Sequence, residues 1–249
     1  MSSAQEPSTE VDLLDQVVSL ATGQDSFAAT THVESLGGPT DVAQAYANLT
    51  QQLYYKRKDV PLMLKVGTAG VRYCLHEGER TKDDNPELSA KLRGAAKMIA
   101  YNLAVNCWPA WEDEGIQLSP AEVAYGFDLA KLNLRLGQEL ERPADKLAAA
   151  WWLLGAHQLA AKERDNAIAS FEKAAGLYAE AEQTDGQWMS KGYAAIARHV
   201  STDSVEPTDS GEQGAADLKE AIDALRKLDT DDSRFYADQL KAVDKFFTK

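Results

Sequence analysis

An all-α fold is predicted for this chain of 249 residues by two features of its sequence. Apolar residues recur at helical spacing along most of the chain and leave polar residues on the opposite face. No segment alternates apolar and polar residues with an enrichment in β-branched side chains, so we expect no sheet. Short polar stretches separate the periodic segments, and they predict about nine helices, mostly antiparallel neighbours joined by short loops.

Composition and charge restrict the classes of function. The chain is 44% hydrophobic and 26% charged, which is typical of a globular protein. Its net charge of −13 argues against nucleic-acid binding, because phosphate contacts need clustered Lys and Arg. No apolar run approaches the length of a membrane span, so no membrane partner is expected. The first residues are polar and acidic rather than basic and then apolar, so a cytoplasmic location is expected.

The N-terminal part, residues 1–38, is predicted to be an extension with one or two short helices. Residues 10–22 and 26–36 carry the periodic apolar positions. Gly23 and the glycine pair at 37–38 provide stops for these two segments.

Residues 39–249 are predicted to form one helical array with clear helix starts. Pro39 and Pro61 lie in first turns, and the sequence from Ser119 to Glu122 has the form of a capping box. The first four helices of this array are predicted at 40–58, 60–78, 86–106 and 119–140.

The C-terminal half of the array is predicted to hold five more helices. One opens near Pro143, a second ends near Ala181, and a third covers 187–200. Residues 201–214 are rich in Pro, Ser and acids and poor in apolar residues, which predicts a flexible linker. Two further helices follow, at 215–228 and 233–247, and the last is expected to cap the array.

One helix pair, residues 147–181, has a distinctive pattern of large and small residues. Its members are Trp151, Leu154 and Gly155 in the first helix and Ala167, Phe171 and Ala174 in the second. This set resembles the tetratricopeptide repeat (TPR), and Trp188 with Gly192 is similar to a second, looser copy. The resemblance implies helix-turn-helix units stacked as a right-handed superhelix, and a non-catalytic scaffold that binds other proteins.

The resemblance also implies a binding face, because TPR arrays usually bind along a concave side lined by the first helix of each pair. With Trp151, Leu154 and Gly155 facing the partner helix, the helical register predicts an apolar groove. Its residues are Trp152, Ala156, Leu159, Met189, Tyr193 and Ile196. A peptide or amphipathic helix of a partner protein would fit it. The alternative is that the C-terminal helix or a second copy of the chain, as in a homodimer, covers this face.

No motif predicts catalysis, a metal or a cofactor. The four histidines lack metal-ligand spacing, and we find no glycine-rich phosphate loop or nucleophile elbow. We therefore expect no cofactor and no enzymatic activity. Two other hypotheses stay open: a homo-oligomeric structural protein, and a helical enzyme or ligand-binding bundle with a pocket near Trp108, Trp111 and Trp152.

Overall fold

The computed structural model describes residues 9–200 and 209–249, and the side chains of 13–200 and 211–249. These residues contain eleven α-helices and no strand, so the all-α prediction is confirmed, while the count of about nine is not. The helices are α1 Thr9–Gly23, α2 Ser26–Glu34, α3 Pro39–Tyr55, α4 Val60–Arg80, α5 Pro86–Asn106, α6 Pro120–Glu139, α7 Ala144–Ala160, α8 Arg164–Glu180, α9 Thr184–His199, α10 Asp209–Leu228 and α11 Asp231–Phe247. A 3₁₀ helix, Pro109–Trp111, precedes α6.

Side-chain caps fix several of the predicted helix starts. The Ser119 hydroxyl accepts from the Glu122 amide, and the Glu122 carboxylate accepts from the Ser119 amide at 2.6 Å. Asp59 accepts from the amide of Leu62 at the start of α4. These bonds satisfy amide groups that a helix leaves without an internal partner, so local sequence is sufficient to place these ends.

The chain divides into two compact units, one up to residue 106 and one from residue 107 to 249. In the first unit, α3, α4 and α5 each contact the other two, and α2 packs against α3 and α4. The Tyr46 hydroxyl donates to the Glu34 carboxylate at 3.1 Å and so links α3 to α2. The predicted boundary after residue 38 therefore does not coincide with the observed division.

In the second unit, the helices α6 to α11 pack in chain order. Each contacts the next, and α9 also contacts α7 and α11, the helices two places before and after it. Small residues allow close approach inside the first pair: a Cβ added at Gly155 would lie 2.8 Å from the Phe171 ring. Phe171 is fully buried, so this contact forms the centre of the α7–α8 pair.

Three consecutive turns of this unit have the same backbone geometry. Glu141, Lys162 and Glu182 adopt the left-handed conformation, with φ of 46°, 63° and 57°. After each of them, the next amide donates to a carbonyl five residues earlier: Arg142 to Gly137, Glu163 to Gln158, and Gln183 to Tyr178. This is the Schellman closure of a helix end, and it recurs at the C-terminal ends of α6, α7 and α8.

The predicted linker at 201–214 needs a correction. Residues 209–214 belong to α10, and residues 201–208 lie outside the described residues. Gly214 lies so close to α9 that an added Cβ would be 2.8 Å from the backbone nitrogen of His199. At Gly214 it is therefore backbone, rather than a side chain, that packs against α9.

Candidate functional site

The structure buries all six residues that we predicted to line an open groove. Trp152, Leu159 and Met189 are 4–5% exposed, and Ala156, Tyr193 and Ile196 are fully buried. Residues from α7 and α9 do share this face, as predicted. The rings of Trp152 and Tyr193 meet edge to face, with their centroids 5.4 Å apart. The six side chains therefore form interior rather than surface in the described structure.

Two segments of the same unit cover this face. Trp108, which precedes the 3₁₀ helix, donates its indole Nε1 proton to the Ala156 carbonyl at 2.8 Å. Its ring lies 6.1 Å from Trp152, 5.9 Å from Tyr193 and 6.4 Å from Phe247 of α11. We call these rings, together with Trp111 and Phe171, the aromatic cluster. The six residues therefore do not line an open groove in the described structure. Binding of a partner by these residues stays a prediction.

Neither of the two adjacent tryptophans of α7 lies where it was expected. Trp152, expected on an open face, is in the aromatic cluster, whereas Trp151 is only half-buried. Trp151 packs against Leu134, Ala150 and Leu154 on the side of α7 that faces α6. The register of the helix was right, since the two rings do point to different neighbours, but both neighbours belong to this chain.

Asp244 of α11 is a half-buried carboxyl whose Oδ1 atom has no hydrogen-bond partner among the described residues. Burial raises the pKa of Asp244 above its ordinary value, and the nearby His199 opposes that rise. A raised folded-state pKa favours folding at low pH, and this contribution is lost as pH rises through that pKa.

We therefore expect the substitution Asp244→Asn to increase the free energy of unfolding at neutral pH. The gain should shrink as pH falls through the interval between the raised pKa and the ordinary pKa of the carboxyl, because the wild-type group is then neutral too. Urea unfolding of both proteins across this interval measures the difference. A gain that does not change with pH would show that burial of the charge is not its cause.

A groove does lie open elsewhere in this unit, between α8, α9 and α10. We call it the Trp188 groove, and it holds about 420 Å³, within the range of sites that bind ligands or partner side chains. Its apolar lining is the half-buried Trp188 ring with Ala175, Gly176 and Ala194. A second depression along α10 adjoins it and shares Trp188 and Glu220 with it.

The groove exists because small residues stand beside its tryptophan. Trp151 in the first pair packs against Leu134 of α6, which fills the space beside the ring. Trp188 instead has Ala175 and Gly176 of α8 beside it. A Cβ added at Gly176 would meet no atom within 4 Å, so this part of the groove is empty space.

The rim of the Trp188 groove is charged. The Lys191 ammonium lies 4.2 Å from the centre of the Trp188 ring, a cation–π contact. Arg198 is paired with Glu172 and, at 3.7 Å, with Asp217. Glu220 is exposed and makes no ion pair with a described residue. Three carboxylates therefore surround two cations at this rim.

Sequence reasoning missed this groove, although a signal for it is present. Trp188 and Gly192 have the spacing of Trp151 and Gly155, and the sequence therefore predicts a second, looser copy of the first pair. Where the first pair has Leu154, however, the second has Lys191, three residues after its tryptophan. A lysine in the position of a packing leucine indicates that one side of that tryptophan meets water.

Within the described part of the chain, no three His, Cys, Asp or Glu residues are grouped so that they could hold a metal ion. Both cysteines, Cys74 and Cys107, are buried free thiols, and burial raises the pKa of each to about 12. None of the described helices combines the length and apolar character needed to cross a membrane. A scan against protein-family models and a search of the curated proteins both found no match.

Proposed function

We propose that this chain is a non-catalytic protein-interaction scaffold whose second unit is a TPR-like stack of helix pairs forming a right-handed superhelix. Two consecutive pairs, α7 with α8 and α9 with α10, support this, as does the repeated turn geometry at Glu141, Lys162 and Glu182. Stacked pairs of this kind bury a continuous core and expose long helical surfaces to partners.

The contact surface in this proposal is the Trp188 groove, rather than the face that we predicted from the sequence. One observation carries the assignment: a tryptophan is held half-exposed in a recess next to Ala175 and Gly176, with charged residues around it. An aromatic ring in a recess with a polar rim is the arrangement that dominates many protein interfaces. The partner is a peptide segment or helix of another protein.

A variant that fills the groove without disturbing the fold tests the proposal. Gly176→Leu adds a side chain where an added Cβ meets nothing within 4 Å, and it replaces a glycine inside a helix. We expect proteins captured from the native organism by the wild-type chain to be lost with this variant. Gly94→Leu in α5 is the matched control, since a Cβ there also meets nothing within 4 Å.

A photo-crosslinking amino acid at Lys191 adds a direct readout. An adduct to another protein is expected from position 191, which lies at the groove, and none from Asp128, which lies on α6. Capture that survives Gly176→Leu, or adducts at position 128 alone, would exclude the groove as the contact surface.

A second candidate, binding of a small molecule, is favoured by a different observation. The indole Nε1 of Trp152 is buried in the aromatic cluster and has no hydrogen-bond partner among the described residues. A buried donor without an acceptor costs about 1 to 3 kcal/mol, and a small acceptor ligand would remove that cost. Native mass spectrometry of the purified chain tests this candidate, and a spectrum with the bare polypeptide mass alone would reject it. The homo-oligomeric hypothesis and the cytoplasmic location stay predictions.

A further inference from the structure

We propose that the Trp188 groove takes an arginine-bearing segment of its partner, with the guanidinium stacked on the Trp188 ring and paired with the Glu220 carboxylate. The proposal rests on the function proposed above and specifies the chemistry that the groove recognises. The proposed partner is basic, so binding of an acidic or a purely apolar segment in the groove would contradict the proposal.

The Trp188 ring already contacts a cation, Lys191, which lies three residues later on the same helix. The Lys191 ammonium lies 4.2 Å from the ring centre, attracted by the negative potential of the aromatic face. A guanidinium is planar and more weakly hydrated than an ammonium, so it stacks better on an indole. Lys191 is exposed and can turn into solvent when an arginine arrives.

The carboxylates at the rim complete the recognition of a cation. Arg198 lies between Glu172 and Asp217, so two acids already share one guanidinium of the chain itself. Glu220 lines both the groove and the adjoining depression and has no ion-pair partner among the described residues. The depression is also lined by Asp223, Lys219 and Lys227, so the excess of carboxylates is confined to the groove itself. A carboxylate can accept two parallel hydrogen bonds from one guanidinium, which a lysine cannot provide.

The charge of the whole chain favours the same partner. The net charge is −13, so the surrounding field attracts basic segments and repels acidic ones during encounter. This long-range attraction is not specific to the groove, however. It would draw a basic peptide to any acidic surface of the chain, and the test must separate the two contributions.

The test uses short fluorescent peptides in a glycine-serine background that carry arginine, lysine or glutamate at the same positions. Fluorescence anisotropy measures the binding of each peptide to the full chain at low and at physiological salt. We expect the arginine peptide to bind most tightly, the lysine peptide more weakly and the glutamate peptide not measurably. Trp188→Ala and Glu220→Lys should each weaken arginine-peptide binding about tenfold or more.

A charge-matched control separates the groove from the general field. Asp128→Lys changes the net charge by the same amount as Glu220→Lys but lies on α6, outside the groove. It should weaken binding by less than about twofold, because exposed charges are screened beyond roughly 8 to 10 Å. Lys191→Ala should strengthen binding of the arginine peptide, since it removes the cation that competes for the ring. Equal losses from the two charge reversals, or no effect of Trp188→Ala, would overturn the proposal.

Failure of the arginine proposal can be distinguished from failure of the proposed function. If capture of a partner protein depends on Gly176 but the arginine peptide does not compete with that partner, the groove is a contact surface with a different specificity. If neither capture nor peptide binding responds to Gly176→Leu, both proposals are wrong.

Discussion

Replacing Trp152 with alanine is expected to lower the free energy of unfolding by about 3 to 5 kcal/mol, the usual cost of removing a buried tryptophan. The ring is 5% exposed and contacts Trp108 and Tyr193, so its removal leaves a cavity between α7, α9 and the 108–111 segment. Urea or guanidinium unfolding followed by far-UV circular dichroism measures the change.

The neighbouring residue provides the control for this substitution. Trp151 is half-buried against Leu134 and Leu154, so Trp151→Ala should cost less, about 1 to 2 kcal/mol, because less apolar surface loses its cover. The sequence alone predicts the opposite order, with Trp151 in the core and Trp152 at the surface. A larger loss from Trp151→Ala than from Trp152→Ala would contradict the structure's placement of the two rings.

Replacing Gly155 with leucine is expected to destabilise the second unit by about 1 to 3 kcal/mol or more, the range for overpacked cores. An added Cβ would lie 2.8 Å from the Phe171 ring, and Phe171 is fully buried and has no space to withdraw. The α7–α8 pair would have to separate, or the ring leave its rotamer. Thermal and chemical unfolding of the variant measure the effect.

The same substitution at Gly176 is the matched control, because it changes a glycine to leucine in the adjacent helix. No atom lies within 4 Å of a Cβ there, so Gly176→Leu should be neutral or stabilise the protein by up to about 1 kcal/mol through helix propensity. If both variants lose the same stability, crowding against Phe171 is not the reason, and the close α7–α8 contact is not as described.

Local signals in the sequence were sufficient for the helices and several of their ends. The Ser119 to Glu122 box and the cap at Asp59 act within one turn, so they can be read without knowledge of the fold. The close approach at Gly155 could also be predicted, because it lies within one helix pair joined by a short turn. All these features depend on residues that are near one another in the chain.

The positions of the candidate sites depend on contacts between residues that are far apart in the sequence, and no local pattern indicates such contacts. The sequence shows that Trp152 and Tyr193 can form an apolar face and leaves open that the C-terminal helix covers it, but it does not decide between an open and a covered face. The Trp188 groove likewise depends on Ala175 and Gly176, which lie in a different helix from the ring. The start of α10 was misplaced for the same reason, since Gly214 is held by the backbone of α9.

The contact between Trp108 and Phe247 joins residues from the beginning and the end of the second unit, and Lys249 adds an ion pair with Glu112 at 2.8 Å. A linear repeat array has only nearest-neighbour interfaces, so its terminal repeats can fray while the middle stays folded. In the second unit, these two contacts join residues that are separated by most of the unit's sequence. They raise the contact order, so folding should be slower than that of an open array. Once formed, it couples α11 to the 108–111 segment, so the second unit should lose its near-UV and far-UV circular dichroism in one cooperative transition.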